Sequence, residues 1–210
     1  MRVSAIIPAY NEEKTICQVV NSVKNTRRIG EIIVVSDGSI DNTAINARKC
    51  NVNVIELKEN GGKGAAIKAG LEACSGDVIL LLDADLVGLL DSHIEDLLSP
   101  VLDHDYDMSI GVFTKGRLAT DLAHRISPYL SGQRALKRSI LESISSLPEY
   151  GYGLEIAMTL YAYENKLRVK HVELSNLTHI MKEEKYGFYK GMIERFKMYR
   201  QVLKGARYLK

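Results

Sequence analysis

Val78-Ile79-Leu80-Leu81-Leu82-Asp83-Ala84-Asp85 is the stretch whose reading decides the fold. Five apolar residues in a row describe a strand buried on both faces, as in a parallel sheet covered by helices. Two carboxylates then arrive at the strand's end. Ligands of open α/β sheets sit in the crevice beyond the carboxyl ends of the strands. Two acids delivered there suit a divalent cation held against a phosphorylated ligand. The alternative is that Asp83 or Asp85 caps the following helix.

Upstream, Val3 to Ile7 reads as a first strand closed by Pro8, which has no N–H to give a ladder. Asn11 is placed to cap a helix from Glu12 to about Thr26, with Ile16, Val19, Val20 and Val23 at core spacing. Glu31 to Val35 is a second strand, followed by Ser36-Asp37-Gly38-Ser39 and a helix from about Asp41. Asn53 to Leu57 is a third. Gly61-Gly62-Lys63-Gly64 opens a helix that Ser75-Gly76 stops. Four alternations of strand and helix argue for βαβ units and a right-handed, mostly parallel sheet.

Downstream, the pattern predicts a helix over Asp91 to Asp103 ending at Pro100, a strand from Tyr106 to Phe113, and a loop with some helix from Gly116 to Pro128. Helices are expected over Arg134 to Ser145 and Tyr152 to Asn165, a strand over Leu167 to Leu174, and a long helix from Lys185 to Tyr208. There is no repeat or Pro/Gly-rich linker. The reading is one domain, with a nucleotide half (1–90), an acceptor half (91–181) and a basic C-terminal helix (182–210).

At 210 residues, with 46% hydrophobic and 26% charged residues, the composition is that of a soluble globular protein. No apolar run approaches a membrane span, and the N-terminus enters a strand without a leader pattern, so a cytoplasmic protein is expected. Cys17, Cys50 and Cys74 have no metal-ligand spacing and read as reduced structural thiols. The net charge is +2, but residues 182–210 hold nine Lys/Arg and three Glu, so the tail is +6 and the remainder −4. A basic tail is not a basic protein, and no nucleic-acid partner is expected.

The strand ends supply groups for a nucleotide diphosphate. Pro8, Tyr10 and Glu12 offer a ring and an acid, and Asp37 sits where a base could donate to it. Gly62-Lys63-Gly64 puts a cation and open backbone N–H groups at a helix N-terminus, a phosphate site. Asp83 and Asp85 would hold ribose and metal. Glu155, in the first turn of a helix, is the acid expected to face an acceptor; its alternative is a favourable charge on the helix dipole.

Ile6 to Glu12, Ser36 to Thr43, Gly62 to Gly64 and Asp83-Ala84-Asp85 together resemble the nucleotide-sugar half of family 2 glycosyltransferases of the GT-A fold. The resemblance implies a Rossmann-like α/β domain whose mostly parallel sheet is flanked by helices. It implies that Asp37 meets the base and that the D-x-D pair, with Ala84 between, meets ribose and metal. Ser36 departs from the family, where many members have a second Asp. Leu130 to Ala135, Gly151 to Ile156, and Val172 to Leu174 followed by His179 resemble glucosyl-3-phosphoglycerate synthases and polyprenyl-phosphate sugar transferases. From the synthases come His179 as a metal ligand beside Asp85, and Arg117, Ser131, Gly132 and Tyr152 as acceptor contacts.

The resulting expectation is a non-processive, Mg²⁺- or Mn²⁺-dependent transfer of one sugar from a UDP- or GDP-sugar to a small phosphorylated acceptor such as 3-phosphoglycerate. Asp85 and Glu155 are its catalytic residues. The alternatives are a polyprenyl-phosphate acceptor, with the tail at the inner face of a membrane, and a nucleotide-sugar binder without turnover. A homodimer is a further partner left open. No G-x-G-x-x-G follows the first strand, no P-loop occurs, and no Gly-rich Arg loop of a nucleotidyltransferase is present. The chain has no Trp, which excludes the Q-x-x-R-W signature of processive synthases.

Overall fold

Period-two burial on strands and helical burial on the segments between them sort the chain into three layers in the computed structural model, which describes residues 1–113, 131–144 and 153–179. In chain order the elements begin with β1 (Val3–Ala9), α1 (Ile16–Asn25), β2 (Ile29–Asp37), α2 (Thr43–Lys49), β3 (Asn53–Leu57), α3 (Lys63–Ala73) and β4 (Val78–Leu81). There follow β5 (Leu86–Val87), α4 (Asp91–Asp103), β6 (Met108–Phe113), β7 (Arg134–Lys137), α5 (Arg138–Ser143), α6 (Leu154–Glu164), β8 (Val169–Leu174) and β9 (Thr178–His179). One seven-stranded sheet runs β3-β2-β1-β4-β7-β6-β8, and β5 pairs with β9 in a separate ribbon. Within the large sheet only β7 is antiparallel to its neighbours, so the sheet is mostly parallel, as its apolar strands imply.

The deciding stretch behaves as its composition dictates. Val78, Leu80 and Leu82 enter a core beneath α1, α2 and α4, whereas Ile79 and Leu81 enter the opposite core beneath α3, α5 and α6. All five are essentially inaccessible, and each buried side chain of this kind is worth roughly 1.5–3 kcal/mol. Because β1 to β4 are parallel, their carboxyl ends share one edge, where Pro8–Glu12, Asp37 and Asp83–Asp85 emerge.

Four expectations are corrected. Pro8 lies inside β1 and does not close it. The Ile6 carbonyl faces β4, accepting from the Leu82 amide, and Pro8 has the same parity. Its missing N–H therefore faces β4 where the β1–β4 ladder stops, after Ile6 opposite Leu81, while the pairing of β1 with β2 runs on to Ala9. Asn11 does not cap a helix: it has φ 55°, its Oδ1 accepts from the Ile40 amide at 2.9 Å, and α1 starts only at Ile16. Pro100 lies within α4, which continues to Asp103. Arg134 to Lys137 is a central strand, not the start of a helix; four residues with only Ala135 and Leu136 apolar fit either period until β4 and β6 bracket them. The alternative in which Asp83 or Asp85 caps the next helix is also excluded, since α4 begins at Asp91 behind Leu90. The expectations for Gly116 to Pro128 and for the 182–210 helix lie outside the described residues.

Candidate active site

At the carboxyl edge the loops are tied to one another. The Asn11 amide donates to Ser39 Oγ at 3.1 Å and the Glu12 amide to Thr43 Oγ1 at 2.7 Å, which joins the loop after β1 to the loop after β2. Tyr10 is 38% exposed there, Pro8 is half-buried, and the Ala84 side chain packs into the core. Asp37 reaches the glycine loop: its Oδ1 accepts the Gly61 amide at 2.8 Å and its Oδ2 the Gly62 amide at 2.9 Å. Burial pushes its carboxyl up, and the two amides offset part of that. Gly62, at φ 84°, adopts the left-handed backbone that this clamp requires, and α3 starts at the next residue. The sequence suggested Asp37 for a base. Its hold on the loop in front of Lys63 was not foreseen.

Lys63 is the hub. Its Nζ lies 2.5 Å from Asp83 Oδ1 and 2.6 Å from Glu155 Oε1, with side chains 20%, 22% and 8% exposed respectively. Burial alone would lower the ammonium; the two carboxylates outweigh it and raise the group above its ordinary value. A charged lysine is thus locked in place between two acids.

Asp83 is fixed from its other side by Gln133. The Asp83 amide donates to Gln133 Oε1 at 3.0 Å, and Gln133 Nε2 donates to Asp83 Oδ2 at 2.8 Å. Gly132 passes so close that a Cβ would stand 2.6 Å from Asp83 Oδ2, which explains the glycine. Ser131 Oγ accepts from the Gln133 amide at 3.3 Å. Ser131 and Gly132, expected at an acceptor, are therefore brought to the Lys63–Asp83 pair. Arg134, fully buried, donates to the Ser131 carbonyl and to the Glu155 carbonyl, which links this loop to the first turn of α6. Gln133 and Arg134 had been noted only as parts of a motif. Their signal is a polar pair set directly before the apolar Ala135 and Leu136.

Asp85 stands one residue before β5, whose Leu86 is the ladder partner of His179. The ribbon thus brings the backbone of His179 alongside Asp85, as a shared ligand pair would need; the His179 side chain lies outside the described atoms. An oxygen and an imidazole donor fit Mn²⁺ or Mg²⁺, and two protein ligands leave positions for phosphate oxygens. Among the described residues no group of three metal-binding side chains gathers. Arg117 and Tyr152 lie outside the described residues.

Comparison with known proteins bears on the family and the fold. The family model for glycosyl transferase family 2 matches residues 4–158. A glucosyl-3-phosphoglycerate synthase from Mycobacterium tuberculosis is 29% identical over 199 residues, covering 77% of this chain and 61% of the relative. The chain thus spans about three-fifths of the length of these curated relatives. An undecaprenyl-phosphate 4-deoxy-4-formamido-L-arabinose transferase from Proteus mirabilis is 39% identical over 95 residues, covering 40% of this chain and 29% of that one. Among solved structures, the M. tuberculosis synthase in complex with Mn²⁺, UDP and glucosyl-3-phosphoglycerate superposes with a TM-score of 0.82 at 27% identity, over 97% of this chain and 78% of that one. The same synthase has also been solved with Mg²⁺ and UDP.

Proposed function

We propose that this chain, which belongs to glycosyl transferase family 2, transfers one sugar from a nucleotide-diphosphate sugar to a small phosphorylated acceptor with the help of a divalent cation. One observation carries the reading. Lys63, Asp83, Gly132 and Glu155, from four separate segments, converge at the carboxyl edge of the sheet, beside the acids of the D-x-D sequence. That is where an α/β sheet binds a nucleotide.

Each residue has a task in this scheme. Asp37 and the glycine loop hold the nucleotide end, Asp83 faces the ribose, and Asp85 with His179 would hold Mn²⁺ or Mg²⁺. When bound, that cation neutralises charge developing on the departing diphosphate. The Lys63 ammonium, at the N-terminus of α3, adds fixed positive potential to the same place. Glu155 faces the acceptor, with Ser131, Gly132, Arg117 and Tyr152 as its surroundings. Residues 1–90 and 91–181 divide into donor and acceptor halves of a single domain.

UDP-glucose and 3-phosphoglycerate are the first choices of donor and acceptor. Glucosyl-3-phosphoglycerate synthases are among the relatives that match over most of the chain, one of them solved with UDP-glucose and phosphoglyceric acid. A polyprenyl phosphate is the second reading, supported by the undecaprenyl-phosphate relative, whose likeness spans only 95 residues. No helix among the described residues is long and apolar enough to cross a membrane; in that reading the basic residues of 182–210 would meet its surface. The test is transfer from labelled UDP-glucose with Mn²⁺ to 3-phosphoglycerate or to undecaprenyl phosphate in detergent. Label on the phosphoglycerate supports the first reading and label on the lipid the second. Failure of both, with UDP still bound, would leave a nucleotide-sugar binder without turnover.

A further inference from the structure

Arg134 is a guanidinium with no measurable exposure, set in the central strand β7. A charge taken out of water is strongly unfavourable unless its donors are satisfied, so where these donors go is informative. Nε donates to the Ser131 carbonyl at 2.9 Å. Nη2 donates to the Glu155 carbonyl at 3.1 Å and to Thr159 Oγ1 at 3.0 Å. Thr159 Oγ1 itself donates to the same Glu155 carbonyl at 2.8 Å, so the first turn of α6 is gripped twice at one residue. Burial brings the guanidinium down to about 10, opposed by the Glu155 charge, and it stays protonated at neutral pH.

The two segments it joins are those that approach Lys63 from opposite sides. Ser131 leads directly into Gly132 and Gln133, which fix Asp83; Glu155 is the second acid on Lys63. We propose that Arg134 is a positioning residue that sets Glu155 and the 131–133 loop against Lys63 and Asp83. It touches neither Lys63 nor Asp83 in any described contact and acts through the backbone of its neighbours. A lysine could not replace it, because one ammonium on a flexible stem lacks the planar fork that reaches acceptors on two elements at once. The consequence for sugar transfer rests on the function proposed above; the control of Lys63 does not.

Two readouts keep these apart. The first is the rate at which Lys63 is acetylated by an N-hydroxysuccinimide ester at fixed pH, followed by peptide mass spectrometry on the intact chain. Glu155→Gln, Arg134→Met and Arg134→Lys should each speed the reaction, by about tenfold if Lys63 loses one pKa unit of stabilisation. Arg134→Met combined with Glu155→Gln should be faster than Glu155→Gln alone, but by less than Arg134→Met speeds the parent, since only the path through the 131–133 loop and Asp83 remains. Thr159→Val, a near-isosteric change that removes one of the two grips, should shift the rate in the same direction by less, and it decides the matter if the Arg134 variants do not fold. The second readout is transfer kinetics, where Arg134→Met should lower kcat by about 10- to 100-fold while KM for the donor changes little. If Lys63 reacts at the parent rate in the Arg134 and Thr159 variants but faster in Glu155→Gln, the positioning role is overturned. If the parent transfers no sugar, the proposed function fails, and the acetylation comparison still stands.

Discussion

Lys63 Nζ lies 2.6 Å from Glu155 Oε1, across 92 residues of chain. This contact closes the carboxyl edge of the sheet, joining the glycine loop, within residues 1–90, to the first turn of α6, within residues 91–181. Because Asp83 holds the same ammonium from the other side, any change to Lys63 disturbs both carboxylates.

Lys63→Ala should therefore cost more than a surface lysine would. It leaves two acids facing each other with no cation between them, and removing one partner of a buried pair is penalised by the charge left behind. The site is partly open, so the expected loss is about 1–3 kcal/mol at neutral pH by urea unfolding. Adding Glu155→Gln should recover part of it. On the proposed function the same variant should weaken binding of UDP much more than of uridine, since the charge would then serve the diphosphate. Equal losses for the two ligands would place Lys63 elsewhere.

Gly132→Ala should fold and fail to work. The added methyl would stand 2.6 Å from Asp83 Oδ2, so Asp83 must yield or the loop must retreat, at a cost of about 1–3 kcal/mol. A nucleotide-binding assay beside a melting curve separates the outcomes. Loss of binding with a modest fall in Tm is expected; full binding and unchanged Tm would show that the loop has room to spare.

Much of this site could be read before any coordinates. Val78 to Leu82 announce a strand buried on both faces, and the acids that follow it fall at the edge where that strand ends. Gly62 before Lys63 announced a helix start. What could not be read was partnership. Lys63 was assigned to phosphate, and nothing local reveals that Glu155 folds back onto it. Arg134 to Lys137 was expected to be helical because four residues seldom distinguish the two periods, and an antiparallel strand inserted into a parallel sheet is a tertiary choice. Asn11 lost its capping role to the same kind of distant pairing, with Ile40.

Acid should loosen the opposite end of the sheet. Glu31 accepts from Ser4 Oγ at 2.6 Å, from the Ser75 amide at 2.7 Å and from Ser75 Oγ at 2.9 Å. Burial would raise its carboxyl, but these donors prevail and hold it below its ordinary value. A carboxyl lowered in the folded state contributes stability that is present above its unfolded pKa and is lost as pH falls through the folded one. Asp107, lowered likewise with Lys137 and the Arg168 amide as partners, adds to the same slope. Tm should thus fall between about pH 5 and pH 3, and Glu31→Gln should flatten that fall while lowering Tm at pH 7. An unchanged slope in the variant would remove Glu31 from the account.

The central claim, a nucleotide diphosphate held with a divalent cation at Asp85, is tested most directly by calorimetric titration of UDP into the parent chain and Asp85→Ala, each with and without Mn²⁺. The parent should bind UDP tightly only with Mn²⁺. In Asp85→Ala the remaining affinity should be weak and indifferent to the metal. Metal-dependent binding that survives in Asp85→Ala, or tight binding by the parent without any divalent ion, would contradict the claim.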